Sequence, residues 1–377
     1  MAEATPEFTP VTLVTGFLGS GKTTLLQRLL REPAFSDTAV LINELGEIGL
    51  DHHLLERIDE TMVVLKSGCL CCTIRGELSA AINDLHAKRE RGLVPPFRHL
   101  VIESTGLADP IPILSTVQAD PVLRHHFSLG NVIATVDAVN GMRQLDEHPE
   151  SVKQVAVADR LVLTKTDLAA AETVALLVKR LRCLNPTARL WRGADQDLDA
   201  GALLAKDSGR GIGAERGFPA YPLPSRHGHA GGARSRHGDD IRAVALTFDE
   251  PIDWAMFGVW LTMLLHRHGS EVLRVKGILN VAGADTPVAV HGVQHLIHAP
   301  KHLSAWPDMD RRSRLVLIVK GLDPSAIERS LRAFSATTIP AKSSPSTGHT
   351  LVETENRHSR EAASAGGPLR ASAKLRR

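Results

Sequence analysis

Aromatic residues are scarce in this chain: they make up 4% of its 377 residues, with a single tyrosine. Without aromatics interleaved among basic residues there is no stacking platform for single-stranded nucleic acid. An excess of charge is missing too. The 44 lysines and arginines nearly balance 42 acids, for a net charge of +2, so nothing draws the whole molecule to nucleic acid or to a membrane surface. No apolar stretch is long enough to span a bilayer. Residues 1–10 carry acids and prolines rather than a basic start and an apolar core, and read as an N-terminal extension, not a signal peptide. Cysteine is also rare, four in all, and three of them crowd at 69, 71 and 72. That is not the spacing of a secreted disulfide framework, and a reducing, cytoplasmic compartment fits better.

What is present begins at residue 16. Gly16-Phe17-Leu18-Gly19-Ser20-Gly21-Lys22-Thr23-Thr24 directly follows the apolar run 11–15. A strand feeding a glycine-rich turn that ends in Lys-Thr at the mouth of a helix is an arrangement for nucleotide phosphates. Gly16, Gly19 and Gly21 let the backbone turn tightly and aim bare N–H groups inward, and the helix start adds its positive end. Ser20 and Thr24 belong to the same cradle. Lys22 is placed to reach the β- and γ-phosphates, and the Thr23 hydroxyl to ligate Mg²⁺.

Short apolar runs at 11–15, 38–42, 61–65, 98–102, 130–136 and 160–163 alternate with helical patterns at 22–31, 74–90 and 169–183. Most of the runs lack polar alternation, as strands buried on both faces do, and predict a doubly wound, mostly parallel α/β domain over 11–192. Residues 193–240 are rich in Gly, Ala, Arg, Asp, His and Pro and read as a flexible linker. Order resumes with a strand at 241–248, a helix at 252–268, strands near 271–282, 286–291 and 314–319, and a helix at 324–334. That order predicts a smaller α+β domain over 241–336, its helices on one face of an antiparallel sheet. The tail 337–377 has little to bury and reads as disordered.

Three further groups carry chemistry. Leu100-Val101-Ile102-Glu103 is an apolar run ending in an acid and followed by Ser104-Thr105-Gly106. Glu103 is a candidate to hold Mg²⁺, through water given its extra methylene relative to Asp, and the Gly106 N–H to sense a γ-phosphate. Thr164-Lys165-Thr166-Asp167 ends another run. A carboxylate at Asp167 accepts the paired N1–H and N2–H₂ of guanine, which adenine does not offer, so it selects GTP over ATP. The stem of Lys165 can lie along the purine, and Thr164 supplies a hydroxyl where Asn is commoner. Finally, Cys69, Cys71 and Cys72 place three thiols within four residues. Thiolates favour Zn²⁺ or Cu(I), with Co²⁺ and Ni²⁺ as alternatives, and a tetrahedral ion so held keeps one position open. Burial as small hydrophobes and redox sensing are the competing readings. His227, His229 and His237 fall in the linker. His291, His295, His298 and His302, spaced by three or four, read as surface or core residues, and Cys183 as core.

Together these segments resemble the CobW-family GTPases, those of the YjiA type in particular. The resemblance rests on Gly16–Thr24, on Asn43-Glu44-Leu45-Gly46-Glu47-Ile48-Gly49-Leu50-Asp51, on Cys69–Cys72, on Glu103–Pro110, on Thr164–Asp167 and on Leu273-Arg274-Val275-Lys276-Gly277. It covers nearly all of 11–334. It implies a P-loop GTPase domain followed by a CobW C-terminal domain, related to the nickel-insertion GTPases of urease and hydrogenase maturation. It further implies a metallochaperone, most often for zinc, acting on a metal-requiring client protein, with a homodimer left open. Residues 43–51 would be the first switch, with Glu44 and Glu47 as candidates to assist metal or catalysis. Ile42 stands where some relatives carry an acid, which leaves more of the metal to the thiols. No arginine finger is evident, so turnover is expected to be slow until a client or dimer accelerates it. A nucleotide-gated switch with redox-sensing cysteines and cobalt delivery for cobalamin synthesis remain the alternatives.

Overall fold

The computed structural model describes residues 8–45, 62–67, 73–193, 199–205 and 240–336. Glu47, Cys69, Cys71, Cys72, the linker histidines and the tail 337–377 lie outside the described residues.

The first sheet contains seven strands, β1 (Thr9–Gly16), β2 (Thr38–Leu45), β3 (Met62–Ser67), β4 (His99–Glu103), β5 (Phe127–Asp137), β6 (Arg160–Thr164) and β7 (Arg189–Arg192). Their order is β3-β2-β4-β1-β5-β6-β7, and every pairing is parallel. β1 is buried along its whole length, its threonines included, as a strand covered on both faces must be. Its alternate residues serve opposite faces. Val11 and Leu13 pack with Leu78, Ile82 and Leu85 of helix α2 (Thr73–Glu90). Val14 packs with Leu25, Leu26 and Leu29 of helix α1 (Lys22–Leu29). Helices thus cover both faces, and the chain is a doubly wound α/β fold.

The register brings the strand ends level. Val14 pairs with Glu103, Gly16 with Thr135 and Asp137 with Thr164. The carboxyl ends of the four central strands therefore share one edge, where the connection from β1 runs to one side, to β2, and that from β4 runs to the other, to β5, and such sheets form their crevice.

A second sheet follows in the order β11-β10-β9-β13-β8, with β12 paired to β10. It consists of β8 (Ile241–Phe248), β9 (Val272–Leu279), β10 (Val288–Val293), β11 (Leu296–Ile297), β12 (Lys301–His302) and β13 (Ser313–Lys320), paired antiparallel throughout. Phe257 and Trp260 of the helix Trp254–His268 and Leu331 of the helix Pro324–Ala336 cover one face. On β9, Arg274 leaves that core and donates to the Val157 carbonyl and to Asp159 beside the first sheet.

Several elements differ from expectation. β7, with the sequence Arg-Leu-Trp-Arg, has exposed ends and half-buried middle residues; as an edge strand it needs no apolar run. Residues 200–204 form a helix inside the stretch expected to link, with Leu203 wholly buried. Asn131 Nδ2 and Arg160 Nη1 both donate to the Leu203 carbonyl, and Arg160 Nη2 reaches the Ala205 carbonyl at 2.8 Å. Downstream, Gly321 N donates to the Asp240 carbonyl at 2.8 Å. Cys183, expected in the core, is exposed: the buried stripe of its helix is Val174, Leu177, Leu181 and Leu184, and position 183 falls off it. His291, His295, His298 and His302 lie on β10, β11–β12 and their connections rather than on a helix. No helix among the described residues is long and apolar enough to cross a membrane.

Candidate functional site

The turn after β1 owes its shape to its glycines. Gly16 has φ +139°, and a Cβ there would strike Thr135 and Ser20. Those two side chains meet across the gap, Ser20 Oγ to Thr135 Oγ1 at 2.6 Å. Gly21, with φ +85°, precedes α1 and gives it no side-chain cap. The first N–H groups of α1 are thus left without a side-chain acceptor, which is how a helix start receives an anion.

Lys22 folds back over the turn. Its Nζ donates to the carbonyls of Gly16 at 3.0 Å and Phe17 at 3.2 Å. Burial pushes its pKa down, and the Glu103 charge opposes that shift. An anion drawn into the turn would favour the charged ammonium. Thr23 Oγ1 donates to Glu103 Oε1 at 2.6 Å, while Thr24 is exposed on the next position of α1. Beyond Glu103, Ser104 N donates to the Val14 carbonyl at 2.9 Å and Ser104 Oγ to Thr15 Oγ1 at 2.9 Å. Gly106 rests backbone to backbone on Leu18: a Cβ on it would stand 2.6 Å from the Leu18 nitrogen.

The segment after β6 closes the other side. Thr164 Oγ1 donates to the Ser20 carbonyl at 2.7 Å, and Gly21 leaves room for the Thr164 methyl, 3.4 Å from where a Cβ would be. Lys165 takes a left-handed φ of 55°. Its Nζ donates to the Gly19 carbonyl and to Asp137 Oδ2, both at 2.8 Å. Asp167 is exposed at the rim.

The structure therefore brings Gly16, Gly19, Ser20, Gly21, Lys22, Thr23, Thr24, Glu103, Gly106, Thr164, Lys165 and Asp167 to one edge of the sheet. Glu44 stands at the end of β2. Among the described residues no group of three or more His, Cys, Asp or Glu gathers to hold a metal. Asp137 is a site residue that the sequence reading missed. It is 2% exposed on its side chain. Burial pushes its carboxyl up, but hydrogen bonds from Lys165, Asn140 and Val139 outweigh that and hold it below the usual range. The signal was available, because Asp137 ends an apolar run as Glu103 does.

Comparison with known proteins gives a consistent answer. Residues 10–192 match the family described as CobW/HypB/UreG, nucleotide-binding domain. Residues 241–335 match the cobalamin synthesis protein cobW C-terminal domain. The chain is 35% identical over 308 residues to the zinc chaperone YjiA of Escherichia coli, covering 82% of this chain and 93% of that one. It is 30% identical to the zinc chaperone CobW of Pseudomonas aeruginosa, over 87% of this chain and 92% of the relative. The crystal structure of Zn(II)-bound YjiA GTPase from E. coli superposes with a TM-score of 0.63 at 29% identity, covering 88% of this chain and 99% of that one. The chain belongs to the CobW/HypB/UreG family.

Proposed function

We propose that this family member is a GTP-hydrolysing metallochaperone that carries zinc on Cys69, Cys71 and Cys72 and releases it to a client protein under nucleotide control. One observation carries the nucleotide half: the phosphate-facing turn and the β4 carboxylate meet at the Thr23–Glu103 hydrogen bond, 2.6 Å long, beside the uncapped start of α1. The names of both relatives, zinc chaperones, support the cargo.

In this reading Gly16 to Thr24, with Ser20 among them, cradle the β- and γ-phosphates on backbone N–H groups, and Lys22 turns from the Gly16 and Phe17 carbonyls to the phosphates. Thr23 and Glu103 form a hydroxyl–carboxylate donor set that suits a small hard cation. They would hold Mg²⁺, which when bound neutralises charge on the phosphoryl oxygens. Gly106 faces the γ-phosphate. Asp167 accepts the two N–H groups of guanine, and Lys165, tethered to Asp137 and Gly19, lays its stem against the base. Water attacks the γ-phosphoryl group, giving GDP and phosphate.

The link to metal runs through neighbouring strands. β3 leads to the cysteines and β2 to residues 43–51, read as the first switch with Glu44 and Glu47. The two are paired, Asn43 to Leu65 and Glu44 to Lys66. A change at the switch then reaches the thiol segment along a shared ladder, and by linkage bound zinc must alter GTP affinity by the same factor. Residues 11–192 form the nucleotide domain in this scheme, 193–240 join it to a C-terminal domain at 241–336, and 337–377 follow in sequence.

Metal analysis of protein isolated with GTP and with GDP tests the proposal, alongside titration of GTP with and without zinc. Zinc content that follows the nucleotide, and is lost on replacing the three cysteines by serine, is the expected result. Zinc content indifferent to both changes would leave a GTPase without cargo.

A further inference from the structure

Helix α6 (Pro149–Val157), numbered after Pro110–Ala119 (α3), Leu123–His126 (α4) and Gly141–Glu147 (α5), meets the candidate site at its start. The ring of His148 stacks on Phe17 of the phosphate-facing turn with centroids 4.4 Å apart. Lys153 Nζ donates to Asp109 Oδ2 at 3.0 Å. One residue on, Gln154 is 1% exposed. Its Nε2 donates to the carbonyls of Gly106 and Ala108, each at 3.1 Å. Two carbonyl partners determine which end of the amide is nitrogen. Among the described residues the other end, Oε1, is buried without a hydrogen-bond partner. A buried side chain with half its polar capacity unused is uncommon, so apolar packing does not account for a glutamine here; its grip on the loop does.

The helix that presents Gln154 is held at its other end. Asn185 Nδ2 takes the carbonyls of Val155 at 2.8 Å, Ala156 at 3.1 Å and Ala158 at 2.8 Å. Arg274 takes the carbonyl of Val157. A side chain mounted on a helix fixed this way holds its partner in place more firmly than one on a loop. Its partner is the turn just after Glu103. Ala108 N donates to the Thr105 carbonyl at 3.2 Å, and with the Gly106 and Ala108 carbonyls gripped, both sides of that turn are pinned while Gly106 lies on Leu18.

We infer that Gln154 is a positioning residue for nucleotide hydrolysis: by gripping the Gly106 and Ala108 carbonyls it holds Gly106 against the phosphate-facing turn, where a γ-phosphate is met. The inference rests on the GTPase reading above. Gln154 itself touches no phosphate and acts through Gly106, so it serves the step that needs the γ-phosphate and not the retention of GDP.

Two full-length variants test this. Gln154→Glu replaces a donor by a carboxylate facing two carbonyl oxygens, and Gln154→Asn keeps the amide but withdraws it by one methylene. GDP affinity is measured by titration with a fluorescent GDP, and kcat and KM for GTP by steady-state turnover. In both variants kcat falls about tenfold, the effect of one lost hydrogen bond, while GDP affinity stays at the wild-type value. An unchanged kcat in Gln154→Asn overturns the inference, and so does a GDP affinity that falls in step with kcat. Should Gln154→Glu lack a melting transition, Gln154→Asn alone decides. A wild-type chain that turns over no GTP overturns the underlying reading, and this inference with it.

Discussion

Thr23 and Glu103 stand 80 residues apart in the chain and share a hydrogen bond of 2.6 Å. Parallel pairing of β1 with β4, Val14 opposite Glu103, makes the contact, since the turn that follows β1 carries Thr23 back over the end of β4. Glu103→Gln keeps the size of the side chain and its acceptor for Thr23 but removes the charge. GTP turnover should fall about ten- to a hundredfold, with more Mg²⁺ needed for half-maximal rate. Turnover measured across a Mg²⁺ series checks this, and an unaltered Mg²⁺ requirement removes Glu103 from the cation site.

Asp167 is exposed at the rim of the site and, in the proposed function, faces the base. Asp167→Asn trades one acceptor for a donor, which mismatches guanine and matches the extra carbonyl of xanthine. GTP affinity is expected to drop about ten- to a hundredfold, the loss of one hydrogen bond to a charged group, and XTP affinity to rise. Competition titration with the two nucleotides reads both. Equal losses for the two would mean that Asp167 does not face the base.

Replacing Cys69, Cys71 and Cys72 together by serine tests whether the two proposed sites are separate in binding and joined in control. Zinc binding should disappear while GDP affinity is retained, because the phosphate-facing turn and Lys22 are untouched. Zinc-dependent change in GTP affinity should vanish with it. Equilibrium dialysis with zinc and nucleotide titration supply the two readouts.

Asp159 contributes to stability in acid. Burial pushes its carboxyl up, but the charges of Arg274 and Lys276 and the hydrogen bonds from Val132 and Arg274 outweigh that and hold it well below the usual range. A folded pKa below the unfolded one, about 3.9, means that the stabilisation is present above that value and fades as pH falls through it. His298 nearby is pushed down by burial, so its loss begins higher, as pH drops below about 6.5. Asp159→Asn leaves the Arg274 guanidinium, 3% exposed on its side chain, with no charge partner there and should cost about 3 kcal/mol at neutral pH. Its melting temperature should then vary less below pH 4 than that of the wild type. Parallel melting curves would refute the assignment.

Much of the fold is legible in the residues, and the reasons for the remainder are specific. β1, β4 and β6 announce themselves because strands buried on both faces concentrate Val, Leu and Ile without charged residues in alternation. β7 does not, because an edge strand with arginine at both ends satisfies its backbone with little apolar surface. Helix Pro110–Ala119 is masked by Pro110 and Pro112. Both fit the first turn, where no intrahelical N–H is needed, and Asp109 caps it by accepting from Ile111 N at 3.0 Å. At the site, the turn at 16–24, Glu103 and Thr164–Asp167 follow from local spacing. Asp137 had the same signature and was overlooked. Gln154 has none: its role arises only when α6 is packed against a loop some 46 to 48 residues away.

Arg160 at the Ala205 carbonyl and Gly321 at the Asp240 carbonyl give the interval between those residues two fastened ends. Each fastening belongs to its own sheet, Arg160 opening β6 and Gly321 following β13. Removing the Arg160 guanidinium would therefore loosen helix 200–204 from the first sheet while leaving the Gly321 contact that seats the start of β8 as it is.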